Sequence, residues 1–442
     1  MGSESDFVAL RDLSTRITKG TTPPRGKGFV DHGINYIKSE AISPDGSIDT
    51  SKFAFIDEKT HSSLARSQLQ TGDVLFSMAG VYLGKTSVVK AEHLPANTNQ
   101  AVGIITLDGA RADPYFIHYV LQSPHCRSWV ARSAAQSAQP NFNLKEIGDL
   151  PIPNLPLHLQ QGVSNALKAL DDRIDLLRQT NTTLETIAQA LFKSWFVDFD
   201  PVHAKAEGRD PEAMDAATAA LFPSEFEDSE LGPIPKGWRV DEIGNAVKCL
   251  GGGTPSTKED AYWIDGEHHW VTPKDLAALQ APVLTATSRR ITDAGLSRIS
   301  SGLLPRGTLL MSSRAPIGYL ALAGIPTAIN QGFIAMPPGR TLPPVYLFFW
   351  TRANMDAIKQ KANGSTFMEI SKSAFRPIKL CVPLPRLVDA FVAVASPLMD
   401  RIEANEHHRV ALTELRDTLL PRLISGKLRL PEAAEAAEAA LA

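Results

Sequence analysis

The side chains best placed to do chemistry in this chain flank two glycine-rich turns. The first turn is Lys19-Gly20-Thr21-Thr22-Pro23-Pro24, and Gly251-Gly252-Gly253-Thr254-Pro255-Ser256 repeats it at a shift of 232 residues. Glycine lets the backbone approach a partner closely, threonine offers a small hydrogen-bond donor, and proline stiffens the loop. Rigid loops with basic and amide side chains suit contacts with phosphate groups and with the edges of nucleic-acid bases.

Basic and hydroxyl side chains around the two turns are therefore the candidate contacts with a nucleic acid. In the first copy we predict contacts from Lys19, Thr21, Arg25, Lys27, Lys38 and Lys85. In the second copy we predict contacts from Thr254, Lys258, Lys274, Arg289, Arg290 and Arg314. The alternative for each of these residues is an ordinary solvated side chain on a loop.

The repeat extends beyond the turns. Asn99-Gln100 returns as Asn330-Gln331 at a shift of 231, and Asp172-Arg173-Ile174-Asp175 returns as Asp400-Arg401-Ile402-Glu403 at a shift of 228. A repeat of this length indicates two copies of a whole domain rather than a solenoid of short units. Two similar but unequal copies predict two similar but unequal ligands.

Charge is unevenly distributed along the 442 residues. The formal net charge of -3 combines a net -8 over residues 198–230 with a net +7 over residues 231–380. Because the charge of a domain governs its attraction for a polyanion, the second copy suits a nucleic-acid partner although the whole chain is slightly acidic.

Composition is that of a globular protein with two or three domains. The chain is 43% hydrophobic and 21% charged, and no apolar run reaches the ~18 residues of a membrane span. Residues 1–6 lack the basic and apolar regions of a signal peptide. Three widely spaced cysteines fit a reducing compartment, so we expect a cytoplasmic protein without a membrane segment.

Each copy combines short strands with a helix. Apolar runs bounded by glycine, such as 72–77 and 103–107 in the first copy and 307–312 and 332–336 in the second, predict buried strands. After each pair we predict a helix, over 114–132 and over 344–361, that begins at a proline.

Two long amphipathic helices follow the two copies. Apolar residues recur in a 4-3 alternation from Val163 to Trp195, which is coiled-coil spacing, and a shift of 228 gives the same register from Phe391 to Leu423 with three polar interruptions. The predicted seam contains Leu167, Leu170, Ile174, Leu177, Asn181, Leu184, Leu191, Leu398, Ile402, Asn405, Leu412 and Leu419. Helices of roughly 35 residues would span ~50 Å. The alternative is that each helix packs on its own domain.

Several motifs resemble catalytic or metal-binding sites but fail on context. Residues 79–86 loosely match a phosphate-binding loop, yet residues 87–89 favour a strand where that loop needs a helix. Asp113-Pro114-Tyr115-Phe116 lacks the second proline of the tetrad with which amino-methyltransferases hold a flipped base. The pairs His268-His269 and His407-His408 place adjacent rings on different faces, so we expect surface residues and no metal.

These residues together resemble the specificity subunit of type I restriction-modification systems, over nearly all of residues 1–426. The resemblance rests on the doubled Gly-x-Thr-Pro turns, the doubled Asn-Gln and the doubled Leu-Pro-rich approach to a long helix. Its most specific segments are residues 191–199, 231–238 and 420–428. The first copy departs from the pattern, because it lacks the Pro-Lys-Gly-Trp approach of residues 235–238, and its first strand is expected to be shorter or differently covered.

The resemblance implies an α+β fold with two pseudo-symmetric, strand-rich target-recognition domains joined by two long antiparallel helices in a coiled coil. The implied segments are recognition domains 1–150 and 231–380, spacer helices 151–200 and 381–426, an acidic connector 201–230 and a low-complexity tail 427–442. In the family each domain binds one half of a bipartite site in double-stranded DNA, and the helices set the gap.

Implied partners are two methyltransferase subunits, which carry S-adenosylmethionine and methylate an adenine in each half-site, and restriction or translocation subunits that can join them. The chain itself would hold no cofactor and catalyse nothing. Two other classes remain open: a coiled-coil adaptor with two heads that bind ligands other than DNA, and a self-sufficient enzyme, which the absent cofactor loop disfavours.

Overall fold

A computed structural model describes residues 7–24, 27–134, 142–339, 341–364 and 368–424, with positions 428, 431–432, 436 and 439–440 of the tail. The chain divides into two compact units, one of Met1–Ile174 with Ala411–Ala442 and the other of Asp175–Val410. Each unit holds one strand-rich domain and a part of both long helices. Arg25 and most of the predicted tail lie outside the described residues.

The first unit is built on two four-stranded sheets. Its strands are β1 (Phe7–Ala9), β2 (Ser14–Lys19), β3 (Phe29–Val30), β4 (Ile34–Ile37), β5 (Ala54–Ile56), β6 (Val74–Ser77), β7 (Thr86–Val88), β8 (Ala96–Thr98), β9 (Val102–Leu107) and β10 (Pro151–Pro153). The sheets have the orders β2-β9-β6-β7 and β3-β5-β4-β8, and β1 pairs with β10. Strand β6 is buried along its whole length, as its unbroken apolar sequence predicts.

Short helices pack on these sheets. They are α1 (Glu58–Ser63), α2 (Pro114–Gln122), α3 (Pro124–Ala134) and α4 (Leu144–Gly148). Asp113 caps α2, because its carboxylate accepts the Phe116 N–H at 2.9 Å. The single helix predicted over 114–132 is broken at Ser123, which is extended (φ -61°, ψ 149°) because it precedes Pro124.

The first long helix and the acidic connector come next. Helix α5 (Leu157–Phe196) ends before Phe199, which adopts a left-handed conformation (φ 54°), and Pro201 then lies in the first turn of α6 (Asp200–Ala206). The connector continues through α7 (Ala216–Ala220) to the hairpin of β11 (Phe226–Ser229) and β12 (Gly232–Pro235). The chain thus enters the second domain through regular structure.

The second unit repeats the architecture of the first. Its further strands are β13 (Arg239–Glu242), β14 (His268–Val271), β15 (Val283–Leu284), β16 (Arg289–Ile291), β17 (Leu309–Ser312), β18 (Leu320–Ala323), β19 (Thr327–Ile329), β20 (Phe333–Met336) and β21 (Lys379–Val382). The sheet orders are β15-β18-β17-β20 and β16-β14-β19, and β13 pairs with β21. Within the described residues β1 pairs over three residues and β13 over four, and the difference expected at the first strand stays a prediction.

Helices of the second unit follow the same plan. They are α8 (Ile243–Ala246), α9 (Pro273–Ala277), α10 (Asp293–Leu296), α11 (Pro344–Ala353), α12 (Met355–Gln360), α13 (Lys372–Phe375) and the second long helix α14 (Pro385–Ile424). As in the first copy, the helix predicted over 344–361 is two helices, with Asn354 (φ -103°, ψ 15°) between them.

The long helices pack against each other in antiparallel fashion within each unit. In the second unit Asn181 faces Asn405, and Phe192 faces Phe391 with ring centroids 5.5 Å apart. In the first unit Arg416 forms a 2.7 Å ion pair with Asp171. The predicted seam residues are buried, except that Leu184, Leu191 and Leu398 are partly buried. The predicted α+β fold with two strand-rich domains and two antiparallel long helices is confirmed.

An aromatic cluster in the second unit replaces the seam where α5 ends. Phe192, Trp195 and Phe196 are buried, and Phe196 packs against Tyr346 at 5.1 Å and Trp238 at 5.9 Å between ring centroids. Aromatic pairs at these distances stabilise a core beyond the apolar area they bury. The segment 191–199 therefore anchors the helix to its domain.

Candidate nucleic-acid interface

Each of the two turns packs against the end of an equivalent strand, β8 in the first domain and β19 in the second. A Cβ at Gly20 would lie 2.2 Å from the carbonyl oxygens of Thr98 and Asn99, and a Cβ at Gly252 would lie 1.9 Å from that of Ile329. The backbone N–H of Thr21 donates to Thr98 at 2.9 Å, and that of Gly253 donates to Ile329 at 3.0 Å. Glycine is required at both positions because a side chain would collide with backbone.

The repeated Asn-Gln forms a tight turn beside each glycine-rich turn. Oδ1 of Asn99 accepts the Ala101 N–H at 3.2 Å, and Oδ1 of Asn330 accepts the Gly332 N–H at 2.8 Å. This side-chain-to-backbone bond is the usual way in which asparagine stabilises a turn. It leaves the neighbouring glutamine, Gln100 or Gln331, exposed at the surface.

An aromatic side chain donates a hydrogen bond to a backbone carbonyl of each turn. The Tyr36 hydroxyl donates to the Thr21 carbonyl at 2.9 Å, and Nε1 of Trp270 donates to the Gly253 carbonyl at 3.1 Å. Burial raises the pKa of Tyr36, which keeps its hydroxyl protonated as a donor. The two residues are related by a shift of 234, so the frame of the turn is the same in both domains.

A second aromatic ring and a cation complete the frame. Phe29 packs edge-on to Tyr36 at 5.2 Å, and Trp263 packs edge-on to Trp270 at 5.0 Å. Nζ of Lys38 lies 5.9 Å from the Phe29 ring, whereas the Arg289 guanidinium lies only 3.6 Å from the Trp263 ring. Such cation–π contacts fix the position of the charged group.

In the first domain the structure brings together two of the predicted residues. Lys19 and Thr21 line a surface hollow of about 440 Å³ with Arg66 and Gln100. Lys38 instead lies near Glu40 at 3.7 Å. Lys85 stacks 4.6 Å from the Tyr82 ring, and its pKa is lowered by burial and by Lys52. Lys27 is exposed on the loop before β3.

In the second domain only some of the predicted residues gather at the turn. The Thr254 hydroxyl donates to Oε1 of Gln331, and Nε of Arg314 lies 3.6 Å from the position of a Cβ on Gly332, so these residues share the turn. Arg289 joins them through Trp270, its partner across the strands. Arg290 lies opposite His269 on the neighbouring strand, at the register position next to Arg289. Burial lowers the pKa of His269, and the charge of Arg290 lowers it further. Lys258 and Lys274 are exposed.

Sequence reasoning missed four residues at this site, namely Gln100, Gln331, Arg66 and Arg298. Arg66 lies 3.4 Å from the Thr21 hydroxyl. The carbonyl of Arg298 lies 3.8 Å from the position of a Cβ on Gly253, whereas its side chain donates from Nε to the Tyr262 hydroxyl at 3.0 Å. The signal was present, because Leu64-Ala65-Arg66 returns as Leu296-Ser297-Arg298 at the 232 shift of the turns.

The motifs that failed on context have structural roles. Asp113 caps α2, and residues 79–86 lead into strand β7 as predicted. His268 contacts Asp293 at 2.7 Å while His269 contacts Thr287 at 3.0 Å. Among the described residues, no group of three or more histidine, cysteine or acidic side chains is placed to hold a metal. Within that same part of the chain, no helix has the length and apolarity to cross a membrane.

Two unlike surfaces on one repeated frame, each in a unit that holds part of two antiparallel helices, define a protein with a duplicated domain. The family model described as "Type I restriction modification DNA specificity domain" matches residues 2–186 and 235–390. The chain therefore belongs to this family of type I restriction-modification DNA specificity proteins, as the resemblance of its motifs predicted.

Relatives with this description match different shares of the chain. The MjaIX specificity subunit of Methanocaldococcus jannaschii is 35% identical over 194 residues, which are 43% of this chain and 45% of that protein. The HindI specificity subunit of Haemophilus influenzae is 26% identical over 65% of this chain and 71% of its own length. The putative MjaX specificity subunit of M. jannaschii is 22% identical over 95% and 93%. The match to the first relative thus spans less than half of its length.

A solved structure shares the fold. The type I restriction-modification S subunit from M. genitalium superposes with a TM-score of 0.54 at 13% identity, over 96% of this chain and 98% of that one. At this identity the likeness concerns the fold alone.

Proposed function

We propose that this chain is the sequence-specific, non-catalytic DNA-binding subunit of a type I restriction-modification complex. Each strand-rich domain contacts one half of a bipartite, asymmetric site in double-stranded DNA. The two long helices set the gap between the halves. Partner subunits carry out adenine methylation and cleavage at the sites so chosen.

The single observation that supports this proposal most is the repeated frame with unlike side chains. Gly20 and Gly252 dock their turns in the same way, and Tyr36 and Trp270 hold them with equivalent hydrogen bonds. The side chains presented on this frame differ. Two domains that share a backbone frame but present different side chains suit the recognition of two different base sequences. Contacts with base edges determine specificity, whereas the shared frame positions those side chains.

Charge and side-chain chemistry agree with a DNA ligand. The second domain is net +7 over residues 231–380, and its exposed cations include Lys258, Lys274 and Arg298. Such cations attract a polyanion over long range and contact phosphates at short range. The acidic connector, net -8 over residues 198–230, contributes nothing to this attraction.

The helices suit a spacer because they are long and pair with each other. Helices α5 and α14 each contain 40 residues. Half-sites of dimeric helix-turn-helix proteins lie one DNA turn, roughly 34–36 Å, or a multiple of it apart. A helical pair with a fixed register would set such a distance without contacting the bases between the half-sites.

The proposed partners follow from the family. Two methyltransferase subunits would dock on this chain and bring S-adenosylmethionine, and restriction or translocation subunits would join them. The relatives named above are specificity subunits of type I restriction enzymes. Co-expression with a methyltransferase subunit is therefore expected to give a stoichiometric complex on size-exclusion chromatography.

Domain exchange coupled to methylome mapping tests the proposal. Residues 1–150 are replaced by the matching domain of a related protein, and the methylated motif is sequenced in cells that also express the methyltransferase subunit. The expected result is one changed half-site, with the other half and the gap retained. A change in both halves would overturn the assignment of one half-site to each domain.

The rival adaptor hypothesis predicts a different response to salt. A protein that contacts phosphates loses DNA affinity linearly in log-log terms as salt rises. An adaptor with heads for other ligands would show no such DNA binding. Titration of a labelled duplex at several NaCl concentrations separates the two.

A further inference from the structure

The hollow of the first domain has the chemistry of an anion site. It is lined by two cations, Lys19 and Arg66, by the exposed amide of Gln100 and by the Thr21 hydroxyl. Arg66 and Thr21 approach to 3.4 Å. Cations and neutral donors around one hollow match an oxyanion with several acceptor atoms.

The second domain has no lysine at the position equivalent to Lys19, but a lysine from another part of its chain lies beside that position. Gly251 stands where the first copy has Lys19. A Cβ on Gly251 would lie 2.9 Å from Nζ of Lys372 and 3.2 Å from its Cε. The Lys372 ammonium therefore occupies the volume that a lysine at position 251 would enter.

The chain supplies this cation from different elements in the two copies. Lys372 begins α13, capped by Ser371, whereas the equivalent position after the cap Asn143 is Leu144. The first copy thus pairs lysine in the turn with leucine in the helix, and the second pairs glycine in the turn with lysine in the helix. Such an exchange keeps one positive charge beside each turn.

The remaining groups of the hollow also have counterparts in the second domain. Arg298 corresponds to Arg66 at the shift of 232, and Gln331 corresponds to Gln100 at the shift of 231. Both arginines and both glutamines are exposed. The two domains, which differ in most of their predicted DNA contacts, share a glutamine and a lysine ammonium beside equivalent turns.

We propose that each domain has an equivalent binding pocket for one backbone phosphate of DNA. The pocket is formed by Lys19, Arg66 and Gln100 in the first domain and by Lys372 and Gln331 in the second, where Arg298, the counterpart of Arg66, donates to the Tyr262 hydroxyl instead. This inference rests on the proposed function and adds the ligand group and the residues that hold it. The pockets anchor both domains on the duplex in the same orientation, and other side chains then contact the bases.

Phosphate fits these pockets better than a base edge. A group common to both domains cannot distinguish two unlike half-sites, so it suits the part of DNA that every sequence shares. The amide of Gln331 already uses Oε1 to accept the Thr254 hydroxyl proton. Its Nε2–H groups match an acceptor-only ligand, whereas bidentate contact with adenine would also engage the oxygen.

The test measures DNA affinity of the full chain, co-purified with its methyltransferase subunits, as a function of NaCl. The probes are a duplex with the sequence found by methylome mapping and a scrambled duplex. For Lys372→Ala we expect about tenfold weaker binding to both duplexes, and a log-log salt slope less steep by about 0.9, the value for one phosphate contact. Lys236→Ala is the control, because it removes an exposed lysine that pairs with Glu225 in the same domain.

A rescue variant makes the spatial exchange testable. Gly251→Lys combined with Lys372→Ala moves the lysine to the place it has in the first copy, and the truncated residue 372 leaves room for it. We expect this double variant to regain the wild-type salt slope, with the methylated motif unchanged throughout. Lys19→Ala in the first domain should reproduce the loss seen with Lys372→Ala.

Three results would overturn the inference. One is a salt slope for Lys372→Ala equal to that of Lys236→Ala, and another is a double variant that stays as weak as Lys372→Ala. The third is a relaxed base preference in the methylated motif, which would indicate a base contact. Absence of salt-dependent DNA binding by the wild-type complex would instead overturn the proposed function, and the inference with it.

Discussion

Nδ2 of Asn405 donates a 2.8 Å hydrogen bond to Oδ1 of Asn181, and both side chains are buried between the long helices of the second unit. Leu177 and Ile402 are buried beside the pair, and the ion pair of Arg409 with Glu406 lies next to it on α14. A shift of either helix by one heptad would bury each amide against an apolar side chain, where its polar atoms would lose their partners. The pair therefore fixes the register of the helices at some cost in stability.

We expect Asn405→Leu alone to lower the free energy of unfolding by about 1–3 kcal/mol, because it leaves the Asn181 amide buried without its partner. The double change Asn181→Leu with Asn405→Leu should recover most of that loss, since two leucines pack in an apolar seam. Thermal unfolding of the two variants and the wild type measures the difference. Equal destabilisation by the single and the double change would contradict the role of the pair.

Removal of one heptad from each helix tests the spacer. Deletion of residues 174–180 with 406–412 retains the Asn181–Asn405 and Asp171–Arg416 pairs. Seven residues at 1.5 Å each shorten the helices by about 10 Å, which is about three base pairs at 3.4 Å. Methylome mapping should show both half-sites intact and a shorter gap.

A deletion from only one of the two helices is the control for this experiment. It would place the buried asparagines opposite unlike residues and should lower the melting temperature. Altered half-sites with an unchanged gap in the double deletion would refute the role of the helices as a spacer.

Gly252→Ala tests the docking of the second turn. Its Cβ would lie 1.9 Å from the backbone oxygen of Ile329, so the turn must move, at a cost of about 1–3 kcal/mol. The adjacent Gly253→Ala is the matched control, because its Cβ would meet no atom closer than 3.8 Å. We expect Gly252→Ala to abolish methylation of the cognate motif while Gly253→Ala retains it. Similar activity of both variants would show that the close approach is not needed.

His118 makes the first unit sensitive to acid. Burial, followed by Arg416 and Arg127, lowers the pKa of this buried histidine to about 4. Above pH ~6.5, the usual pKa of histidine, the ring is neutral in the folded and unfolded states. Between pH ~6.5 and about 4 only the unfolded state gains the proton, so folding stability falls by about 1.4 kcal/mol per pH unit.

Replacement of this histidine should therefore reduce the effect of acid. In His118→Asn the melting temperature is expected to fall less between pH 7 and pH 4.5 than in the wild type. His125→Asn, a change at an exposed position, should behave like the wild type. An identical pH dependence in all three proteins would contradict the neutral state of His118.

Most of the fold could be predicted from periodicity and repetition. The 4-3 spacing placed both long helices, because burial on one face leaves a regular trace in the sequence. Near the end of α5 that trace is misleading. The spacing selects Leu191, which is only partly buried, whereas Phe192 is buried because the helix there packs on an aromatic domain core. Tertiary contacts determine the buried face at that point.

The site was harder to predict because some of its residues are close in the fold but distant in the sequence. The repeat at 232 residues contained Arg66 and Arg298, and a complete comparison of the two copies would have found them. Lys372 could not be found in this way, because it lies on α13 and does not align with Lys19 when the two copies are compared. The contacts predicted from Lys38 and Lys85 stay predictions, although both ammonium groups lie beside aromatic rings within their own domain.

Pairing of the first with the last strand of each domain has a consequence for genetic recombination. Strand β1 pairs with β10, and β13 pairs with β21, so the chain enters and leaves each domain through two adjacent strands. A domain attached in this way is a cassette, since a genetic crossover before the first strand and another after the last would exchange it whole. If each domain contacts one half-site, as we propose, such recombination would give a new DNA specificity in a single event while the buried Asn181–Asn405 pair keeps its register.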